Sequence, residues 1–155
     1  MILQSPLGPL TLHDDATTLT GVTFGADPSG DSGPIAEAAA TQIAEYFAGR
    51  RHHFDIPLRL GDDFRGHVLR AIFEIPYGYT ATYGEIAEEI GHPGAARAVG
   101  TVCRTNPFIL IVPCHRVVRA DGALGRYASP GGTADKEFLQ GLEAQVLGRE
   151  GVDKQ

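Results

Sequence analysis

The 155-residue chain has no tryptophan, one methionine and two cysteines, Cys103 and Cys114. Two thiols cannot build the disulfide framework of a small secreted domain, and they suit a reduced, cytoplasmic setting. No apolar run exceeds the five residues Phe108–Val112. That is far below the about 20 needed to cross a membrane, so no membrane partner is expected. No charged-then-apolar signal segment opens the chain. No His, Cys and carboxylate cluster has metal-ligand spacing; the His52-His53 pair stands alone and reads as solvated loop. Neither a metal nor a cofactor is therefore expected. Positive charge is scarce as well, with 13 Lys and Arg against 19 Asp and Glu and a formal net charge of −6.

That total argues against a polyanionic partner until it is divided by region. Residues 1–63 carry three arginines and nine acids, a net −6. Residues 95–126 carry Arg97, Arg104, Arg116, Arg119 and Arg126 against Asp121 alone, a net +4. Asymmetry of this kind points to a local anionic partner. Arginine is also the better residue for planar phosphate contacts. Ordinary surface variation is the competing reading, and charge alone weighs the two evenly.

A chain of this length forms one domain or two small ones sharing an interface. Leu10–His13 and Leu19–Phe24 are β-rich runs separated by Asp14-Asp15-Ala16, the pattern of a hairpin. Gly25–Gly33 reads as a mobile Gly/Asp/Ser/Pro loop. Pro34 then opens a helix to about Phe47, with Ile35, Ala39, Ile43 and Phe47 spaced by four. His53–Leu60 is extended, as a further strand or a connection. The expected fold class is α+β, with an N-terminal sheet-plus-helix subdomain over residues 1–60 and a mostly helical domain over 61–155. Nothing in the first of these signals chemistry.

In the second, Asp62 or Asp63 caps a helix carrying Phe64, Val68, Leu69, Ile72 and Phe73. Thr82-Tyr83-Gly84-Glu85 fits a capping box and starts a short helix with Ile86, Ala87 and Ile90 on one face. Gly91–Gly94 breaks the chain, and Ala95–Arg104 forms a second short helix, which makes the pair a helix-turn-helix candidate. At 100° per residue, Ala95, Val99, Val102 and Cys103 share the core side. Arg97, Gly100, Thr101 and Arg104 lie opposite, where small residues let a backbone approach a groove and arginines reach phosphates. Cys103 is thus expected to be a packing residue.

Phe108–Val112 reads as a buried strand leading into Pro113-Cys114-His115-Arg116-Val117. Pro113 fits the first position of a helical turn. Cys114 would then sit where free backbone N–H groups favour a thiolate, the setting of a nucleophile. Alone, Cys114 would be an ordinary buried thiol. His115 cannot share a face with it in a straight strand, so a joint role requires the helical turn.

The sequence resembles the O6-alkylguanine-DNA alkyltransferases, also called methylated-DNA–protein-cysteine methyltransferases. The resemblance is carried by Thr82–Ala87, Gly94–Gly100, Asn106-Pro107, Val112–Val118, and Lys136–Leu139 with Glu143, and spans about residues 62–145. Weaker similarity covers Ser5–Leu10. It implies a ribonuclease-H-like N-terminal subdomain and a single-use reaction. Cys114 would take a methyl or other alkyl group from O6 of guanine, or from O4 of thymine, and keep it as a thioether. His115 would act as general base through a water, oriented by Glu143. Asn106 would support the cysteine turn, and Tyr83 would contact the target nucleotide and help polarise the base.

For the DNA, the resemblance implies a helix-turn-helix laid in the minor groove of a duplex containing alkylated guanine. Arg97 would fill the gap left by the flipped base. Ala95, Ala96, Gly100, Thr101 and Arg104 would accompany it, and Val112, Val118, Tyr127 and Ser129 would line the pocket. A monomer is implied, and cooperative binding along DNA is compatible with it.

Against these stand plainer readings: a core tyrosine at position 83, and a solvated acid at 143 near the apolar edge of the last helix. Phe138 replaces the family's usual tryptophan, and Tyr127–Gly132 is longer than usual and contains a proline. Two rival functions follow. One is a non-catalytic binder of alkylated DNA, against which Cys114 argues. The other is a cysteine hydrolase, for which no oxyanion hole is specified.

Overall fold

The computed structural model describes residues 1–29 and 33–153; residues 30–32 of the expected Gly25–Gly33 loop lie outside the described residues. Strands β1 (Ile2–Leu3), β2 (Leu10–Asp14) and β3 (Leu19–Phe24) form an antiparallel sheet in that order. The Asp15 side chain closes the expected hairpin by accepting the amides of Thr17 at 3.0 Å and Thr18 at 2.7 Å. Helix α1 (Pro34–Phe47) starts at its proline and lays Ala36, Ala39, Ile43 and Tyr46 against the sheet. The segment His53–Leu60 is the connection, not a full strand; only Leu58 bridges to Leu19 of β3. Its one proline explains this, because Pro57 offers a carbonyl to Leu19 at 2.8 Å but has no N–H to extend a ladder.

Helix α2 (Phe64–Phe73) is capped by Asp63, whose carboxylate accepts the Gly66 amide at 2.9 Å. Strand β4 (Ala81–Thr82) leads into α3 (Tyr83–Glu89), where the predicted capping box is complete. Gly91, at φ +82°, ends α3 in a Schellman turn: its N–H donates to Glu88 and that of His92 to Ala87. Helix α4 (Ala96–Arg104) follows and packs on α3, completing the helix-turn-helix. Strand β5 (Val117–Val118) pairs parallel to β4, and α5 (Thr133–Asp153) closes the chain. The expected α+β architecture is the one observed.

One expectation fails. Phe108–Val112 is a buried coil with a single bridge at Phe108, not a strand. The run is 0–3% exposed throughout, so its apolar character reports depth and says nothing of conformation. Asn106 bends it: its side-chain oxygen accepts the Phe108 amide at 2.9 Å, and its amide group donates to Val112 O at 2.9 Å. The Val112 N–H donates to Phe108 O at 2.9 Å, and Leu110 adopts φ +71°, outside any strand. The start of this loop docks on the N-terminal sheet, where the Val22 amide donates to Pro107 O at 2.7 Å.

Candidate active site

Cys114, His115 and Arg116 form a 3-10 turn, so three consecutive side chains point in three directions. Pro113 precedes the turn instead of opening it. Cys114 is 4% exposed, and its Sγ accepts the Asn106 amide N–H at 3.2 Å. The same amide group thus holds the loop and the thiol. A turn of three residues has no appreciable dipole, and the Cys114 N–H is already bound to Val112 O at 2.8 Å. The thiolate-favouring helix end expected from sequence is therefore missing. The neighbouring Cys103 thiol, within hydrogen-bonding reach, and burial hold the Cys114 thiol well above its ordinary range; Asn106 and the Lys136 charge oppose them. Cys103 is buried as predicted, but it also touches the thiol of interest.

Helix α5 supplies the other half of the site. Lys136, Leu139, Glu143 and Val146 follow a 3-4-3 spacing and are all buried, so its inward stripe carries two charges. Glu143 collects five contacts. Its Oε1 accepts the Gly78 amide at 2.8 Å and Arg116 Nε at 2.9 Å. Its Oε2 lies 2.7 Å from His115 Nε2, 2.7 Å from the Tyr46 hydroxyl and 3.0 Å from an Arg116 terminal nitrogen. Burial pushes this carboxyl up, but the bonds and charges of His115 and Arg116 outweigh it and hold its pKa at about 2.

An ionised carboxylate only accepts, so the hydrogen of neutral His115 sits on Nε2 and leaves Nδ1 bare. Nδ1 is buried without a hydrogen-bond partner. Burial keeps the imidazole pKa below its ordinary value, with the bond to Glu143 acting in the opposite direction. A neutral base next in sequence to a thiol, oriented by a carboxylate, can take up a proton and be stabilised as it does so.

Arg116 is 5% exposed, its guanidinium bound to Glu143 and to Ile75 O at 2.7 Å. It therefore leaves the basic surface predicted for residues 95–126, where Arg97, Arg104, Arg119 and Arg126 remain exposed. On α4, Val99, Val102 and Cys103 face inward, Ala95 and Ala96 are half-buried, and Arg97, Thr101 and Arg104 are exposed as expected. Gly100 is half-covered instead, because its Cα faces the Tyr83 ring; a Cβ there would lie 3.8 Å from it.

Tyr83 is half-buried between α4 and the chain at Gly125, and burial raises its hydroxyl pKa to about 12. Val112 and Val118 are buried. Ser129 is also buried and bonds Asp135 at 2.5 Å, while the buried Tyr127 hydroxyl has no hydrogen-bond partner.

Three features escape a reading of sequence. Lys136 is fully buried, its Nζ 5.9 Å from the Tyr83 ring centre and 3.4 Å from Arg126 O. Tyr46 reaches the site from α1. His52 lies in the expected loop, half-buried, and stacks on Tyr77 at 4.1 Å. The i, i+3, i+7 spacing of Lys136, Leu139 and Glu143 is the one signal that could have marked the lysine. Phe138, the departure from tryptophan, is 45% exposed.

A buried Cys–His–Glu site beside a helix-turn-helix defines a DNA-associated protein with a cysteine nucleophile. The chain belongs to the 6-O-methylguanine DNA methyltransferase family. The family's DNA-binding domain matches residues 63–145 and its ribonuclease-like domain residues 1–60. The methylated-DNA–protein-cysteine methyltransferase of Mycobacterium tuberculosis is 44% identical over 154 residues, covering 91% of this chain and 89% of that protein. The protein of the same name from Methanosarcina acetivorans is 44% identical over 151 residues, covering 92% and 96%. The crystal structure of M. tuberculosis OGT in complex with DNA is similar at a TM-score of 0.84 and 43% identity, covering 94% of this chain and 92% of that one.

Proposed function

We propose that this protein repairs DNA directly, with Cys114 as the one-use acceptor of an alkyl group from O6 of guanine, and from O4 of thymine. The observation that carries this reading is the 2.7 Å contact of His115 Nε2 with the Glu143 carboxylate, which assigns the ring hydrogen to Nε2. With Nε2–H committed to Glu143, the bare Nδ1 is the base available to the Cys114 thiol through a water. The sulfur attacks the alkyl carbon, and the C–O6 bond breaks. Its electron pair goes to the purine oxygen, and the guanine anion so released takes up a proton at N1 from solvent, leaving guanine in the DNA and a thioether on the protein. The thiol proton passes to His115, whose positive charge Glu143 stabilises. Because the thiol is otherwise held protonated, removal of this proton belongs to the reaction itself. The thioether is not turned back into a thiol, so each molecule acts once.

Residues 1–60 and 61–155 form two subdomains in this reading. Helix α4 lies in the minor groove of a duplex, with Ala95, Ala96, Gly100, Thr101 and Arg104 along the backbone and Arg97 in the gap left by the flipped base. Tyr83 meets the target nucleotide at the mouth of a pocket formed by Val112, Val118, Tyr127 and Ser129. The protein acts as a monomer in the cytoplasm, where its two thiols stay reduced.

Intact-mass measurement after incubation with duplex DNA containing O6-methylguanine tests this. A gain of one methyl group on Cys114, abolished in Cys114→Ser, is expected. An unchanged mass with the DNA still bound would identify a non-catalytic damage binder instead.

A further inference from the structure

Tyr46 is the only side chain from the first 60 residues for which a hydrogen bond to Glu143 or His115 is recorded among the described residues. It is fully buried on α1, 97 positions before Glu143 in the chain, and its hydroxyl donates to Glu143 Oε2 at 2.7 Å. The same oxygen lies 3.4 Å from His115 Nε2. These two distances have a joint consequence. Glu143 can only accept, so the tyrosine proton must point at it, and the phenol oxygen turns its lone pairs toward the imidazole. A bare Nε2 would face lone pairs from both oxygens; an Nε2–H faces two acceptors.

We propose that Tyr46 is a positioning residue for the transfer reaction: delivered from the N-terminal subdomain, its hydroxyl fixes the Glu143 carboxylate and enforces the Nε2–H form of His115. The catalytic centre of the C-terminal domain is therefore completed by the N-terminal one. The proposal rests on the transfer reading above, in which Nδ1 is the base.

Around this pair the ionisable and charged groups are Arg116 and Cys114 from the 3-10 turn, Tyr77 from the chain after α2, Lys136 from α5 and Tyr127 from the loop before it. Burial and the adjacent Glu143 charge keep the Tyr46 hydroxyl protonated, so it stays a donor across the working pH range. Its ring packs near those of Phe47, Phe54 and Tyr77, contacts that phenylalanine would keep.

The test is the single-turnover rate of methyl transfer as a function of pH for the full chain and for Tyr46→Phe, with methylated duplex in excess. At neutral pH the variant is expected to react about tenfold more slowly, the scale of one lost hydrogen bond to a charged group. Its acid limb should also move to higher pH. A carboxylate relieved of one donor holds the imidazolium proton more tightly, so the base is freed later. The fraction of molecules methylated at completion should stay the same, which a merely structural loss would lower. In a Glu143→Gln background, Tyr46→Phe should change the rate less than twofold.

Superimposable pH profiles with rates within twofold, or the full loss persisting in the Gln background, would overturn the positioning role. Failure of the wild-type chain to take up methyl would instead sink the transfer reading. Nitrogen chemical shifts of His115 in the wild-type protein give an answer independent of any variant: Nε2–H is expected, and Nδ1–H would refute the proposal.

Discussion

Around Glu143 four groups converge through five contacts on one buried carboxylate, whereas along α4 Arg97, Thr101 and Arg104 stand in solvent with only local bonds. Both regions contain arginine, and its meaning is opposite in each. Arg116 is a counter-ion enclosed with its carboxylate, so its energy is tied to Glu143 and cannot be assigned to either partner alone. Arg97 is a free cation whose value is realised only against an external anion. Buried groups of the first kind respond to mutation together and set the shape of the site. Exposed groups of the second kind act separately and set what it meets.

The sharpest break in that comparison comes from Glu143→Gln. It keeps the shape but removes the charge that Arg116 needs, and should cost about 3–5 kcal/mol in urea unfolding. The rate of methyl transfer should fall about 100-fold or more. A stability loss below about 1 kcal/mol would show that Arg116 finds another partner and that the cluster is not a unit.

Arg97→Ala should behave in the opposite manner. Its stability should stay within about 0.5 kcal/mol of wild type, as for a surface change. Transfer from duplex DNA should nevertheless fall about 10–100-fold, the scale of the few kcal/mol needed to unstack a base. Reaction with free alkylated base should be untouched, and equal losses on both substrates would contradict the finger role. Duplex binding should also weaken with salt despite the acidic total charge.

The smallest effect separates the regions by pH. His115 and Glu143 both have folded pKa values below their unfolded ones, so the unfolded chain takes up protons first and stability declines as pH falls. The contribution of His115 is complete above its ordinary 6.5 and is lost from there downward. That of Glu143 begins to go below its ordinary 4.5 and continues toward about 2. Melting temperatures should therefore drop from about pH 8 to about pH 4, and a flat profile would mean that burial does not hold the His115 imidazole below its ordinary pKa.

The parts of this molecule that were legible in its sequence are those written in local chemistry. Pro34, Asp63 and the Thr82–Glu85 box marked three helix starts, and the periodicity of Val99, Val102 and Cys103 oriented α4 correctly. The cysteine, its histidine and the distant glutamate were found through family motifs; the 2.7 Å contact of the histidine with the glutamate is a property of the fold. Tyr46 and Arg116 were missed because their partners lie 97 and 27 residues away and no local pattern reports such a pairing. Phe108–Val112 misled for another reason. An apolar run records burial, and Asn106 decides its course through bonds that hydrophobicity cannot register.

The docking of the Pro107–Ile109 segment on β3 has a consequence for how the molecule comes apart. Val22 exchanges bonds with Pro107 and Ile109 across the two halves, and Tyr46 is tied to Glu143. The loop that leads to the cysteine thus sits against the β3 edge of the other half's sheet. Opening either half would strip partners from the other, so hydrogen exchange at Val22 and at Ile109 should report the same opening event. The junction near residue 60 separates the family's two matched domains, but in melting the halves should leave together.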